Sequence, residues 1–197
     1  MQFDKATNFI LKKLDTELPK HLYYHCLEHT EDVCAAAKML AGKEQLNTYQ
    51  TQLVLTAACY HDSGFLNSTT KHEASSCQIA AENLPSFKYT QAEIKLICGM
   101  ILATQIPQNP KNHLEKIIAD ADLDYLGRDD FFTISHRLFR ELLITGIISD
   151  EAEWDPIQLS FIEDHHYFTK TALILREDKK QSNLGIIKAR LAKATLQ

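Results

Sequence analysis

The placement of glycine and proline constrains this chain more than any other feature of its sequence. The 197 residues include only six glycines and five prolines, and most of them fall between segments that have helical periodicity. Because proline lacks an amide proton and glycine loses much conformational entropy on folding, both residues tend to mark helix ends. No segment alternates polar and apolar residues with the two-residue period of a strand. We therefore predict an all-α fold.

Helical periodicity predicts about eight to ten helices packed in one domain. The segments expected to be helical are 3–18, 30–42, 48–61, 70–85, 90–104, 114–125, 128–145 and 155–165, with a weaker helical pattern from 183 onward. Thr70 and Thr90 each stand three residues before a glutamate, which is the pattern of a capping box. Asp155 precedes a proline and is expected to cap the helix that begins there.

Composition excludes several classes of protein. The chain has 21 basic and 26 acidic residues and a net charge of −5, without the basic excess of a nucleic-acid-binding protein. No apolar run approaches the about 18 residues of a membrane span, and the sequence begins without a signal-peptide pattern. Five cysteines without a CxxC pair argue against a disulfide scaffold or a zinc knuckle. We therefore expect a cytoplasmic protein whose cysteines are small buried hydrophobic residues.

Three clusters of polar residues interrupt this helical pattern. They are Tyr24-His25-Cys26-Leu27-Glu28-His29-Thr30, Cys59-Tyr60-His61-Asp62-Ser63-Gly64 and Asp120-Ala121-Asp122-Leu123-Asp124. Two carboxylates about 4 Å apart repel by about 4 kcal/mol at an effective dielectric constant near 20. Two imidazoles and two carboxylates around a divalent cation carry no net charge, so a metal ion removes this repulsion. A buried histidine–aspartate pair that is satisfied by hydrogen bonds is the alternative.

The order of the three clusters resembles the signature of a known family. Tyr24-His25-x-x-x-His29-Thr30, then His61-Asp62-x-Gly64, then Ala121-Asp122-Leu123 look like the H…HD…D signature of the HD superfamily of metal-dependent phosphohydrolases. The first motif is similar to that of the cyclic-nucleotide phosphodiesterases in that superfamily. The resemblance implies a single HD-type helical domain over 1–197, with a core at about 20–130 and a helical C-terminal extension over about 131–197.

The resemblance also implies roles for individual residues. By position in the signature, His29, His61, Asp62 and Asp122 would bind a metal ion, and Asp62 would also orient or deprotonate the attacking water. His25 would protonate the leaving group or contact the phosphate, and Lys71 and His72 would contact the phosphate. Superfamily members with two metal ions have further histidines on the next helix, whereas residues 96–104 include none. This difference favours one divalent ion, and the ligand set suits Mn²⁺, Fe²⁺, Co²⁺, Ni²⁺, Zn²⁺ or Mg²⁺.

These observations favour a metal-dependent phosphohydrolase that cleaves a phosphomonoester or phosphodiester through a metal-activated water. The expected partner is a small-molecule phosphoester, with a nucleotide as the first choice, and neither a nucleic acid nor a membrane is expected. The first alternative is a metal-bearing regulatory module that senses nucleotides without turnover, because a fold does not determine its chemistry. The second is an HD-type oxygenase or a purely structural helical protein. The sequence indicates no particular oligomeric state.

Overall fold

Helices account for nearly all of the regular structure in this protein. The computed structural model describes residues 1–194, and within that range it has nine α-helices and no strand. The helices are α1 (Phe3–Glu17), α2 (Leu27–Lys43), α3 (Thr48–Tyr60), α4 (His72–Asn83), α5 (Gln91–Ala103), α6 (His113–Asp122), α7 (Phe131–Ile144), α8 (Glu151–Asp164) and α9 (Lys170–Ala194). Short 3-10 helices at Ser63–Leu66, Leu84–Phe87 and Asp124–Gly127 follow α3, α4 and α6. The all-α prediction and the predicted number of helices are confirmed.

The chain divides into two compact units, Met1–Leu123 and a second unit that begins at Asp124. The division lies close to the end of the predicted core at about residue 130, and the assignment of both parts to one domain stays a prediction. None of the helices within residues 1–194 combines the length and the apolar character needed to cross a membrane.

Helix α3 is the centre of the first unit. It contacts each of the other five helices of that unit, and from Leu53 to Tyr60 its side chains are apolar on nearly every face. Leu53, Val54 and Ala57 of α3 are fully or almost fully buried, as are Leu40 of α2 and Ile117 of α6. A helix that is apolar on all sides is stable only in a core. His61 and Asp62, which directly follow α3, therefore lie in the interior of the unit.

In the second unit, α9 packs against α8 and against the turn Asp124–Gly127. A Cβ on Gly127 would clash with the backbone carbonyl of Arg176 and lie 2.8 Å from its Cα, so only glycine permits this approach. The Arg176 guanidinium donates hydrogen bonds of 2.7 and 3.0 Å to the Asp124 carboxylate. Asn183 donates two more to backbone carbonyls of the segment before α7. Much of the contact surface of α9 is therefore polar.

One of the two predicted capping boxes is present. The Thr90 hydroxyl accepts a hydrogen bond from the Glu93 amide at 3.3 Å, and the Glu93 carboxylate accepts one from the Thr90 amide at 2.7 Å. The box predicted at Thr70 is wrong, because Lys71 has a left-handed backbone with φ of 52°. A left-handed residue cannot belong to the first turn of a right-handed helix. Helix α4 therefore begins after it, without a side-chain cap.

The start predicted for the eighth helix is also wrong. Helix α8 begins at Glu151, because the side chain of Asp150 accepts a hydrogen bond from the Glu153 amide at 3.1 Å. Pro156 therefore lies inside the helix, where it removes one backbone hydrogen bond near the N-terminus. Asp155, which was expected to cap the helix, is a residue of its second turn.

Replacing Thr90 with alanine should lower the free energy of unfolding by about 1 kcal/mol, because the Glu93 amide loses its capping acceptor. The matched Thr70→Ala variant should change it by less than about 0.5 kcal/mol, because that exposed hydroxyl caps no helix. Urea unfolding followed by circular dichroism measures both values. Equal losses in the two variants would show that capping at Thr90 does not stabilise α5.

Candidate metal centre

Three helix ends of the first unit bring four predicted site residues to one place. His29 lies in the first turn of α2, and Asp122 is the last residue of α6. His61 and Asp62 directly follow Tyr60, the last residue of α3. Because α2 and α6 both pack against α3, the imidazoles and carboxylates at these ends face one another.

The distances within this cluster fit a shared cation. The Nε2 atom of His61 lies 3.1 Å from Asp62 Oδ2 and 3.5 Å from Asp122 Oδ1. The Nε2 atom of His29 lies 3.5 Å and 3.3 Å from the same two oxygens. Nitrogen and oxygen ligands bind zinc at about 2.0–2.2 Å, so two ligands of one ion lie up to about 4.4 Å apart. One ligand atom from each of His29, His61 and Asp122 fits within a span of 4.8 Å.

Two buried imidazole nitrogens in this cluster lie beside carboxylate oxygens but form no hydrogen bond of regular geometry within residues 1–194. They are the Nε2 atoms of His29 and His61, and both residues are buried, at 7% and 1% exposed. The Nδ1 atom of His61 donates a hydrogen bond of 2.8 Å to the carbonyl of Ala58. In the neutral imidazole, this bond places the proton on Nδ1 and leaves a lone pair on Nε2, which is the form that binds metal. The residues present therefore fit a divalent cation, which would satisfy both nitrogens.

Without a cation, the charges of the cluster balance through protonation. Burial lowers the pKa of His61, but the carboxylates of Asp62 and Asp122 outweigh burial and hold that pKa well above its usual value. Burial raises the pKa of Asp62, yet His61 and His72 hold it well below the usual range. Burial also raises the pKa of Asp122, but the imidazoles of His29 and His61 outweigh burial and lower that pKa to about 2. An imidazolium therefore takes the place of the cation in the metal-free protein.

Metal binding to the metal-free protein should release a proton. The His61 imidazolium must lose its proton before Nε2 can bind a cation, and the raised pKa of His61 keeps that proton bound in the neutral range. We expect metal affinity to rise with pH, by up to about tenfold per unit for each proton released. Calorimetric titrations in two buffers with different ionisation enthalpies count the protons. Affinity that is independent of pH would exclude His61 as a ligand.

A glycine allows α4 to approach the cluster. A Cβ on Gly64 would clash with the carbonyl oxygen of His72 and lie 2.7 Å from its carbonyl carbon. The Gly64 amide also donates a hydrogen bond of 2.7 Å to the Ser76 hydroxyl of α4. This close packing places His72 Nε2 3.3 Å from Asp62 Oδ1. The two oxygens of Asp62 therefore face different histidines, Oδ2 toward His29 and His61 and Oδ1 toward His72.

Aromatic contacts hold His25 beside the cluster. The ring of Phe65 stacks on His25 and on His72, with centroid distances of 4.2 Å in both cases. His25 and His72 are 5.9 Å apart, and His25 and His29 are 6.2 Å apart, between ring centroids. Tyr24 packs on His29 at 4.5 Å. One buried phenyl ring thus supports both histidines that flank the cluster of His29, His61, Asp62 and Asp122.

Sequence comparison gives a partial match to a known protein. No family model matches the sequence. An uncharacterized protein from Clostridium beijerinckii is 33% identical over 81 residues, which is 40% of this chain and 51% of that protein. The chain thus matches about half the length of this curated relative.

Two solved structures share the architecture of nearly the whole chain. One is a predicted HD superfamily hydrolase from an uncultured Thermotogales bacterium, with a TM-score of 0.65 and 19% identity over 96% of this chain and 91% of that one. The other is a Lactobacillus plantarum protein, with a TM-score of 0.72 and 17% identity over 100% of both chains. This chain has the HD-superfamily fold. The HD-type helical bundle implied by the motif resemblance is therefore confirmed.

Within the HD fold, six of the seven predicted site residues lie close together. They are His25, His29, His61, Asp62, His72 and Asp122. The seventh, Lys71, is the exposed N-cap residue of α4, directly before His72. The roles of these residues as ligands, catalysts or phosphate contacts stay predictions. The HD fold of this chain contains a His–His–Asp cluster that can hold a metal ion.

Two residues at this HD site were not assigned to it from sequence. Glu73 was explained as part of the Thr70 capping box, but it is buried and its Oε1 lies 3.5 Å from His72 Nε2. Phe65 resembles an ordinary core residue in the sequence. The only available signals were positional, since Phe65 follows Gly64 of the second motif and Glu73 follows a candidate site histidine.

Proposed function

We propose that this protein is a metal-dependent hydrolase of phosphomonoesters or phosphodiesters, with nucleotides as its substrates. The observation that carries the proposal is that the buried Nε2 atoms of His29 and His61 face two carboxylates, without a hydrogen bond of regular geometry within residues 1–194. One divalent ion held by His29, His61, Asp62 and Asp122 satisfies all four groups. The fold neighbour described as a predicted HD superfamily hydrolase supports hydrolysis at the level of reaction class.

The bound ion would supply a Lewis acid that polarises a phosphoryl oxygen and lowers the pKa of water toward about 7. The protein contributes neutral imidazole nitrogens and two carboxylates, whose charges balance those of a divalent ion. Nitrogen and oxygen donors without a thiolate suit Mn²⁺, Fe²⁺, Co²⁺, Ni²⁺, Zn²⁺ and Mg²⁺.

Asp62 and His25 would supply the acid–base chemistry. The pKa of Asp62 is held well below its usual range, so Asp62 is a carboxylate that can only accept hydrogen bonds. It would orient or deprotonate the attacking water while it remains a metal ligand. His25, which rests on Phe65, would donate a proton to the departing oxygen, and such a proton transfer is worth about 10²–10⁴ in rate. His72 and the exposed Lys71 would contact the phosphate from the N-terminus of α4.

The direct test is a hydrolysis screen on the full-length protein loaded with each candidate metal. The panel contains nucleoside monophosphates, nucleoside triphosphates and cyclic nucleotides, and product release is followed by chromatography. We expect turnover with at least one metal, and a loss of at least about a hundredfold in His61→Ala. His113→Ala is the matched control, because His113 is an exposed histidine at the start of α6. Saturable nucleotide binding without product release from any metal form would instead identify a nucleotide sensor.

Replacing His25 with alanine should slow turnover without removing the metal. We expect kcat to fall by about 10²–10⁴ for an alkyl phosphoester, whose leaving group needs a proton. A p-nitrophenyl ester should lose much less, because its leaving group departs as a stable anion. Parallel kinetics on the two substrates with measured metal content check this split. Equal losses on both substrates would indicate that His25 contacts the phosphate instead of protonating the leaving group.

A further inference from the structure

The second unit contains a cavity of its own, formed by α7, α8 and α9. Its volume is about 300 Å³, at the lower end of the range for small-molecule sites. Three aromatic side chains line it: Phe132 and Phe139 of α7 and Trp154 of α8. The Phe139 and Trp154 rings are 6.2 Å apart between centroids, at an angle of 44°. Such rings offer flat apolar faces to a planar ligand.

Gln158 is one of the residues that line this cavity, and it has a buried polar atom without a partner within residues 1–194. The residue is only 5% exposed, and its Nε2 donates a hydrogen bond of 2.7 Å to the Ser135 hydroxyl. Its Oε1 is buried and has no hydrogen-bond partner in the described part of the chain. Buried carbonyl oxygens are almost always satisfied, because an unpaired one loses its hydration without compensation. An N–H donor on a ligand in the cavity would supply the missing partner.

The charged groups that line the cavity select against anions. Glu151 and Asp155 carry carboxylates, whereas Arg190 carries the one guanidinium of the lining. The Arg190 guanidinium also lies over the Phe132 ring, 4.4 Å from its centroid, in a cation–π contact. The two carboxylates and the guanidinium together give the lining a net charge of −1. A phosphorylated ligand would meet this negative charge with only one cation to offset it.

We propose that this cavity binds an uncharged planar heterocycle with N–H donors, of the purine base or nucleoside class. The ring would stack on the aromatic side chains, and its N–H groups would donate to Gln158 Oε1 and to the carboxylates. All of the lining residues lie between 132 and 190, whereas the metal cluster lies within the first unit. The inference is therefore independent of the proposed hydrolysis and of its outcome.

Trp154 makes this inference directly measurable, because it is the single tryptophan of the chain. Guanosine, which has adjacent N–H donors on its base, is titrated into the full-length protein while tryptophan fluorescence is recorded. We expect saturable quenching by guanosine, and affinity about tenfold lower for guanosine monophosphate. Absence of saturable quenching by guanosine would overturn the proposal. Binding of choline without binding of guanosine would also overturn it, because choline has a positive charge but no N–H donor.

Substitution tests the role of Gln158. Gln158→Leu removes the acceptor and should weaken guanosine binding about tenfold. Gln181→Leu is the matched control, because Gln181 is exposed on α9 and its amide bonds to Glu177; it should bind guanosine as the unmodified chain does. If Gln158→Leu fails to fold, Phe139→Leu removes a stacking face and should weaken binding by a similar factor. The proposal is contradicted if a cavity variant that folds, Gln158→Leu or Phe139→Leu, binds guanosine with unchanged affinity.

Discussion

Replacing Asp122 with asparagine is expected to empty the metal site. The substitution keeps the shape of the side chain but removes the negative charge that faces His29 and His61 at 3.3 and 3.5 Å. A divalent ion would then lack one of its two charge-balancing ligands. We expect the metal content to fall from about one ion per chain to less than about a tenth, and hydrolysis to fall at least about a hundredfold. Plasma mass spectrometry of untagged protein that was purified without chelator measures the metal.

The control for this variant is Asp129→Asn, which changes an aspartate whose side chain is 96% exposed in the second unit. It should keep a full complement of metal. Full metal content in Asp122→Asn would mean that another carboxylate completes the site. Asp120 is the first residue to test in that case, because it lies in the same turn of α6 and is fully buried.

Replacing Gly64 with alanine is expected to destabilise the first unit by about 3 kcal/mol or more. The added methyl group would meet backbone atoms of His72, which cannot rotate away as a side chain would. Helix α4 would have to shift, and His72 would move away from Asp62. Urea unfolding measures the stability, and metal content measures the effect on the site.

Gly42→Ala is the matched substitution, because a Cβ at Gly42 would meet no atom within 4 Å. Gly42 lies inside α2, where alanine is favoured over glycine by up to about 1 kcal/mol. That variant should be as stable as the unmodified chain or slightly more stable. Similar stabilities for the two alanine variants would show that the close approach of Gly64 and His72 is unnecessary.

The metal cluster could be predicted from sequence because its residues break the helical pattern. His61 and Asp62 are polar residues directly after the buried and mostly apolar second half of α3, and Asp122 ends an otherwise buried stretch of α6. Their order along the chain then identified which fold would bring them together. Phe65 offered no such contrast, because an apolar residue after a helix is common in any core. Its position under two histidines depends on three-dimensional packing alone.

The prediction of helix boundaries from sequence was wrong where the same local pattern occurs twice and tertiary contacts determine which copy caps a helix. Thr70 and Thr90 show the same Thr-x-x-Glu pattern, yet only Thr90 caps a helix. At Thr70 the left-handed Lys71 intervenes between the turn and α4, where the backbone of α4 packs against Gly64. No property of the four-residue pattern reports that distant contact.

The first half of α9 was missed because its contacts are polar. Lys180 is only 2% exposed and donates a hydrogen bond of 2.6 Å to the carbonyl of His165. Arg176 pairs with Asp124 in the same unit. An apolar stripe is the usual signal of a packed helix, and a helix that packs through arginine and lysine side chains does not have one. The weaker helical pattern predicted from residue 183 therefore captured only its second half.

The hydrogen bond from His61 to Ala58 couples the orientation of a candidate metal ligand to the helical conformation of the last turn of α3. Ala58 lies in the last turn of that helix, where carbonyls have no amide partner within the helix. The His61 ring supplies the partner, so fraying of this turn also releases the ring from its metal-binding orientation. Metal loading should therefore slow amide hydrogen exchange in the last turn of α3. Helix α3 contacts every other helix of the first unit. A bound ion would therefore raise the free energy of local unfolding of the helix around which the unit is packed.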